Sequence, residues 1–359
     1  MAAAHTNRIP IYGWLLPLAA LIGGLLLGKS GDWITGVALA VLLIGSVMVA
    51  VHHAEVVALW LGEPYGTLVL TLAVTIIELA LIISLMLTGK PNPALARDTI
   101  HAVVMLVLNG LAGICIVAGT LRHREQEFRT LGANAFLAVL TPMAIFVLVL
   151  PNHTLATPGP YYSKLQLLFV GGACFALYLV FLFVQTVRHQ DYFVPSDTTE
   201  VEHVTAPPVR IGAISGGLLV LTLAAVVLLA KLLAPFIESG IAAAGAPFKL
   251  AGVIVAAIVL LPEFFAALRA ARRNQLQTSI NLALGSAVAC IGLTVPAVTV
   301  IAIKLDQPLA LGIDNENTVL LVLSFVVAML TYGQGRTNLL SGFVHLVLLA
   351  SYVFLIFAP

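Results

Sequence analysis

Residues 67–87 read TLVLTLAVTIIELALIISLML, an apolar stretch that contains one acidic side chain, Glu78. Residues 250–268 read LAGVIVAAIVLLPEFFAAL and carry Glu263 in the same way. Each stretch has about the 20 residues that a helix needs to cross a bilayer. A carboxylate near the middle of such a helix costs roughly 2.5–3.5 kcal/mol on insertion scales. Two such costs in one chain indicate a polar site around which the rest of the protein is organised.

The composition is typical of a membrane protein. Of the 359 residues, 60% are hydrophobic and 9% are charged, with a mean hydropathy of +1.07. Soluble domains carry about 25% charged residues. The net charge of +1 and the absence of a dense basic stretch exclude nucleic acid as a partner and leave the lipid bilayer. The three cysteines lie in apolar runs without metal-binding spacing, and we expect them to be core residues.

The hydropathy pattern predicts an all-α integral membrane protein with about eleven transmembrane helices. The first apolar run shows no cleavage site and is expected to be a retained leading helix rather than a signal peptide. The predicted segments are 11–28, 33–54, 66–88, 99–120, 134–150, 163–187, 211–234, 249–268, 278–303, 318–332 and 338–357.

The basic residues predict a cytoplasmic N-terminus, because cytoplasmic loops are enriched in Lys and Arg. With that orientation, ten basic residues fall inside and seven outside, and all but one of the arginines are inside. The inner set is Arg8, Arg122, Arg124, Arg129, Arg188, Arg210, Arg269, Arg272, Arg273 and Arg336, and the outer set is Lys29, Lys90, Arg97, Lys164, Lys231, Lys249 and Lys304.

After the leading helix, the segments divide into two sets of five, which predicts two repeats. An odd number of crossings places the second copy upside down relative to the first, as in many secondary transporters. The predicted organisation is a leading helix (1–30), a first repeat (31–187), a cytoplasmic linker (188–210) and a second repeat (211–359). Each repeat contains an acid before its key helix (Glu55, Glu238), an acid within that helix, and a following helix interrupted by small or polar residues.

Helix geometry places both deep acids near the bilayer midplane. Glu78 lies about 18 Å along its helix and Glu263 about 21 Å along the antiparallel one. Inverted repeats form their binding sites at this depth, so we expect the two carboxylates to face each other. Two buried carboxylates cannot both stay charged unless a cation is bound between them; otherwise they take up protons. This pattern predicts a cation and proton site with no resident cofactor.

Further oxygen donors are expected near the two glutamates, since Ca²⁺ takes about six to eight oxygen ligands. Thr75 lies on the same helical face as Glu78, and Asn109 and Ser286 each stand beside a glycine in the following helix. Alternative roles stay open: Thr75 bonding to its own helix, and Asn109 and Ser286 joining helices. His53 and Glu55 are candidates for proton coupling. The alternatives are a satisfied interfacial histidine for His53 and a hydrated interfacial acid for Glu55.

Two stretches resemble the calcium/cation antiporter superfamily, in its proton-coupled branch and closest to bacterial ChaA-type sodium(potassium)/calcium:proton antiporters. They are HAEVVALWLGEPYGTLVLTLAVTIIELALI (53–82) and LLPEFFAALRAARRNQLQTSINLALGSAVACIGLTVPAV (260–298). The resemblance implies a bacterial inner-membrane protein whose Glu78 and Glu263 bind the cation. The family's Gly-Asn pair in each repeat is replaced by Val74-Thr75 and by Val259-Leu260, which removes two amide oxygens.

These features predict an antiporter that exports Ca²⁺, Na⁺ or K⁺ in exchange for protons. One alternative is a monovalent cation/proton antiporter with little Ca²⁺ transport. The other is a cation channel, which the inverted repeats disfavour. An enzyme is not expected, because the chain has no HExxH, GxSxG or nucleotide-binding glycine motif.

Overall fold

The chain is almost entirely helical in a computed structural model that describes residues 9–27, 32–62, 65–88, 92–194 and 206–359. Within these described ranges, ten helical segments are long and apolar enough to cross a membrane, and the leading helix is shorter. The predicted class of an all-α membrane protein with about eleven spans is confirmed. The helices are α1 (Ile11–Leu27), α2 (Trp33–Leu61), α3 (Tyr65–Thr88), α4 (Leu95–Met105), α5 (Ala112–His123), α6 (Thr130–Ala144), α7 (Lys164–Phe183), α8 (Val209–Ala243), α9 (Lys249–Arg272), α10 (Leu276–Ala289), α11 (Val295–Lys304), α12 (Asn315–Tyr332) and α13 (Leu339–Phe357).

Two helices extend well beyond their predicted ends. The sequence predicted ends at 54 and 234, whereas α2 continues to Leu61 and α8 to Ala243. The reason is that both sequences stay apolar after the first polar residues, so the backbone keeps its helical hydrogen bonds. With 35 residues, α8 is about 52 Å long, well above the hydrocarbon thickness of about 30 Å. Glu55 and Glu238 therefore lie within helices, and their predicted position at helix ends is wrong.

Two spans contain a π-helical turn in the middle. The span Leu95–His123 consists of α4 and α5 joined by the π segment Leu106–Leu111, and Leu276–Lys304 consists of α10 and α11 joined by the π segment Cys290–Thr294. These are the spans in which small or polar residues predicted an interruption. A π turn inserts one extra residue, and such turns are frequent at functional sites.

The chain forms two compact units, and each proposed repeat contributes helices to both. The first comprises Met1–Asn92 and Glu200–Gly245, and the second comprises Pro93–Thr199 and Ala246–Pro359. In the first unit, α2 packs against α1, α3 and α8. In the second unit, α9 packs against α4, α5 and α10, while α13 packs against α5 and α12.

The pair α2 and α8 is held by two reciprocal contacts between a glycine and an aromatic ring. A methyl group at Gly36 of α2 would lie 2.7 Å from Phe236 of α8, and one at Gly212 of α8 would lie 2.4 Å from the indole of Trp60 of α2. Each glycine is the fourth residue of its helix, and the sequence separation from glycine to aromatic is the same in both. This reciprocity agrees with the inverted repeats predicted from the sequence, which stay a prediction.

The glycine-aromatic contacts also suggest one alignment of α2 with α8. If Gly36 corresponds to Gly212 and Trp60 to Phe236, then Glu55 corresponds to Lys231. Glu238 lies in the extra C-terminal length of α8, which has no counterpart in α2. In this alignment Glu55 and Glu238 occupy different positions, and the repeat itself stays a prediction.

In the second unit, the helix ends form two groups of connections. One group joins β1 (Gln126–Glu127) antiparallel to β2 (Arg336–Thr337) and brings Gln126 to the carbonyl of Ala271. The other joins Pro93 to Ala310 and Asn152 to Ile313 through hydrogen bonds. The members of each group are those that the alternation of spans predicts on one side of the membrane.

The start of the predicted linker is structured rather than extended. Residues Gln190–Phe193 form a short 3-10 helix, and Phe193 is buried against the rings of Phe136 and Phe181. Asn281 of α10 donates to the Phe193 carbonyl at 2.6 Å. The linker acids Asp197, Glu200 and Glu202 lie outside the described residues.

We expect Gly212→Val to lower the melting temperature, because the added carbons overlap the Trp60 ring and overpacking costs about 1–3 kcal/mol. Thermal unfolding of the detergent-solubilised protein measures this change. The matched control is Gly217→Val on the same helix, where a methyl group meets nothing within 4 Å. The loss should shrink in a Trp60→Ala background, and an equal loss there would contradict the proposed contact.

Candidate cation site

Both deep glutamates lie near the middle of their helices, as predicted. Glu78 is the fourteenth of the 24 residues of α3 and is 1% exposed. Glu263 is the fifteenth of the 24 residues of α9 and is partly buried. Pro262 precedes Glu263 and lacks the N–H that would bond the carbonyl of Ile258. That the two carboxylates share one site stays a prediction of the repeat.

Thr75 donates its hydroxyl proton to the carbonyl of Thr71 at 2.9 Å and is buried. Bonding to its own helix is therefore observed. A hydroxyl that donates in this way keeps lone pairs on its oxygen, so a role for Thr75 as a cation ligand stays a prediction.

Asn109 lies within the π segment of its span and is fully buried. Its amide nitrogen donates to the hydroxyl of Ser324 on α12 at 2.9 Å, and its amide oxygen lies 3.4 Å from Nδ1 of His345 on α13. The predicted alternative, in which Asn109 joins helices, is directly observed. The amide oxygen has two lone pairs, so this contact with His345 leaves one of them for a further partner.

Ser286 lies on α10, one turn before the π segment Cys290–Thr294, and is partly buried. Because α10 packs against α9, the helix of Glu263, the structure brings these two helices together. Ser286 thus precedes the π segment of its span, whereas Asn109 lies within the π segment of its own.

The two candidates for proton coupling on α2 face different surroundings. His53 is fully buried, and its Nε2 lies 3.1 Å from the carbonyl of Gly13 on α1. Glu55 is exposed. Residues two apart on a helix point about 200° apart, so the structure does not bring these side chains together.

The sequence analysis missed a polar cleft in the second unit. Arg97, Asp98 and His101 of α4 line it together with Lys249 of α9 and Asp314 before α12. Arg97 pairs with Asp98 at 2.8 Å and donates to the carbonyl of Gly312. From the sequence, Arg97 and Lys249 are predicted only as basic residues on the outer side of the membrane. The signal in the sequence was the pair of charged clusters, ARDTIH at 96–101 and DNEN at 314–317, at two helix starts.

Within this cleft, Asp314 anchors two helices. Its Oδ2 accepts from Lys249 Nζ at 2.5 Å, and its Oδ1 caps α12 by accepting from the backbone N–H of Asn317 at 3.0 Å. Burial by itself raises the pKa of Asp314, but the bonds from Lys249 and Asn317 outweigh it and lower the pKa below its ordinary value. The carboxylate is thus charged at neutral pH, and the tie is lost only in acid.

The ten apolar helical segments among the described residues define a multi-pass membrane protein. The chain matches the sodium/calcium exchanger protein family over residues 32–187 and 214–358, and it belongs to this family. The resemblance to ChaA-type antiporters is confirmed at the level of family. The two matched blocks lie close to the proposed repeats.

Two bacterial relatives match nearly the whole chain. A putative ionic transporter, y4hA of Sinorhizobium fredii, is 44% identical and covers 99% of this chain and 98% of its own. The sodium-potassium/proton antiporter ChaA of Escherichia coli is 36% identical and covers 96% of this chain and 95% of its own.

Solved structures share the fold. Native YfkE has a TM-score of 0.74 at 17% identity and covers 97% of this chain and 99% of its own. The H⁺/Ca²⁺ exchanger CAX has a TM-score of 0.69 at 13% identity and covers 94% of this chain and 86% of its own. At such identities the likeness establishes the architecture.

We expect Asp314→Ala to lower the melting temperature more than Asp314→Asn, because asparagine still caps α12 whereas alanine removes a cap worth about 1 kcal/mol. The loss caused by Asp314→Asn reports the Lys249 pair. That loss should be full at neutral pH and shrink as the pH falls below about 3.9, because the folded-state pKa is lowered. Equal melting temperatures of the two variants would contradict the capping role.

Proposed function

We propose that the chain is a secondary active antiporter that exchanges Ca²⁺, Na⁺ or K⁺ for protons, with Glu78 and Glu263 holding cation and protons in turn. The observation that carries the proposal is the placement of one acid midway along the second helix of each repeat. Membership of a cation exchanger family supports it, as does a relative described as a sodium-potassium/proton antiporter.

The coupling follows from electrostatics. In a low-dielectric site, two neighbouring carboxylates raise each other's pKa, and burial raises both. A bound cation neutralises them and expels protons, whereas protonation removes the charge that attracts the cation. Because the site binds either the cation or protons, alternating access converts a proton gradient into cation movement.

The ligand set supports two candidates for the cation. Ca²⁺ needs about six to eight oxygens, and two glutamates supply at most four. Thr75, Asn109, Ser286 and the carbonyl of Ile258 are proposed to complete the set. The replacement of the family's amide donors by Val74-Thr75 and Val259-Leu260 favours the second candidate, exchange of Na⁺ or K⁺ with little Ca²⁺ transport.

The proposed location is the bacterial inner membrane, with the N-terminus in the cytoplasm. Ten apolar spans and two bacterial relatives support a multi-pass inner-membrane protein. The arginine-rich side supports the orientation.

We expect Glu78→Gln and Glu263→Gln each to abolish exchange, because glutamine keeps the size of the side chain but neither carries charge nor releases a proton. Proton flux in inside-out vesicles, challenged in turn with Ca²⁺, Na⁺ and K⁺, measures the exchange. Glu316→Gln, at an exposed position in the first turn of α12, is the matched control and should stay active. Full activity of either deep variant would exclude the shared site, and conductance far above a transporter cycle would favour a channel.

We expect the apparent cation affinity to fall with acidification, because protons compete for the same carboxylates. The decrease should reach about tenfold per pH unit for each competing proton below the pKa of the site. Initial rates over a cation series between about pH 6 and about pH 9 measure it. An affinity that is constant across this range would contradict competition at a shared site.

A further inference from the structure

A buried polar network connects three spans of the second unit at the first π turn. Its members are Asn109 of the π segment, Ser324 and Thr331 of α12, and His345 of α13. Asn109, Ser324 and His345 are each 0% exposed, and Thr331 is 7% exposed. Burying polar groups costs free energy unless they are hydrogen-bonded, so we interpret the network as a specific arrangement rather than as ordinary core packing.

Close helix packing brings the network together. A methyl group at Gly113 of α5 would lie 3.1 Å from the carbonyl of Gly342 on α13, and one at Gly342 would lie 2.7 Å from Val117. These glycines allow the two backbones to approach. His345 is one turn after Gly342 and Asn109 one turn before Gly113, so the imidazole faces the carboxamide.

The directions of the hydrogen bonds follow from counting protons. The Ser324 hydroxyl donates its single proton to the Leu320 carbonyl at 2.7 Å, so it must accept from the amide nitrogen of Asn109. The amide oxygen of Asn109 consequently faces His345, whose Nδ1 must carry a proton to bond it. In the neutral ring, Nε2 then accepts from Thr331, 3.1 Å away.

We infer that His345 is a positioning residue for cation binding: its ring orients the Asn109 carboxamide and the π turn so that the second lone pair of the Asn109 oxygen is held toward the transported cation. This inference rests on the proposed function. Residues behind a metal ligand commonly fix its orientation, and their loss costs about 10–100-fold in metal affinity. The network fixes both ends of the amide, as such a role requires.

Two substitutions at the same position separate the two ring nitrogens. Asparagine places an amide nitrogen where histidine has Nδ1, and glutamine places one where histidine has Nε2. His345→Asn therefore keeps the hydrogen bond to Asn109 and loses the one with Thr331. His345→Gln keeps the hydrogen bond with Thr331 and loses the one to Asn109.

The experiment measures exchange in proteoliposomes over concentration series of Ca²⁺, Na⁺ and K⁺. We expect His345→Gln to raise the apparent KM for the transported cation about tenfold with little change in maximal rate, and His345→Asn to stay within about twofold of the unchanged protein. Asn109→Ala should raise KM similarly, and the double variant Asn109→Ala with His345→Gln should be no worse.

Equal KM values for His345→Gln and His345→Asn, or additive effects in the double variant, would overturn the inference. If neither His345 variant is recovered as a folded protein, Ser324→Ala decides, because it removes the acceptor of the Asn109 nitrogen and leaves His345 in place. An unchanged KM in Ser324→Ala would then overturn it. His153→Gln, at an exposed position between spans, is the control and should behave as the unchanged protein.

Glu263→Gln in the same series keeps the two proposals distinguishable. Undiminished exchange in this variant overturns the proposed function. Lost exchange in Glu263→Gln together with equal KM values for the two His345 variants overturns only the positioning role.

Discussion

The structure depends on one constraint: hydrocarbon offers no hydrogen-bond partners, so each polar group within a span must find one inside the protein. In the helices the backbone groups bond to one another, and polar side chains bond to backbone carbonyls or to other side chains. Thr75 bonds back to Thr71, and Asn109 is bonded at both ends of its amide. Glu78 and Glu263 place a carboxylate near the middle of α3 and of α9, where burying a charge is costly.

The same constraint explains how the helices pack. Since apolar side chains gain little by leaving lipid for protein, close approach of backbones supplies much of the contact. The reciprocal contacts of Gly36 with Phe236 and of Gly212 with Trp60 show this in the first unit. In the second unit, Gly113 and Gly342 allow α5 and α13 to approach, and this approach places His345 against Asn109.

The π turns link this packing to chemistry. The π segments Leu106–Leu111 and Cys290–Thr294 each interrupt the third span of a proposed repeat. Asn109, expected to serve the cation, lies within the first, and Ser286 lies one turn before the second. A regular helix would have satisfied every backbone group and left less freedom to re-aim a side chain. The cleft around Lys249 and Asp314 then ties the first residue of the Glu263 helix to the cap of α12.

The sequence by itself determined the membrane class, the number of spans, the two mid-helix acids and the family, because hydropathy and helix length act locally along the chain. It could not determine the true ends of α2 and α8, since apolar sequence continues past the bilayer thickness. Only the tertiary structure decided that Asn109 bonds Ser324 and His345 and that Lys249 pairs with Asp314. These partners are tens to hundreds of residues apart, and helix crossing, rather than sequence spacing, brings them together.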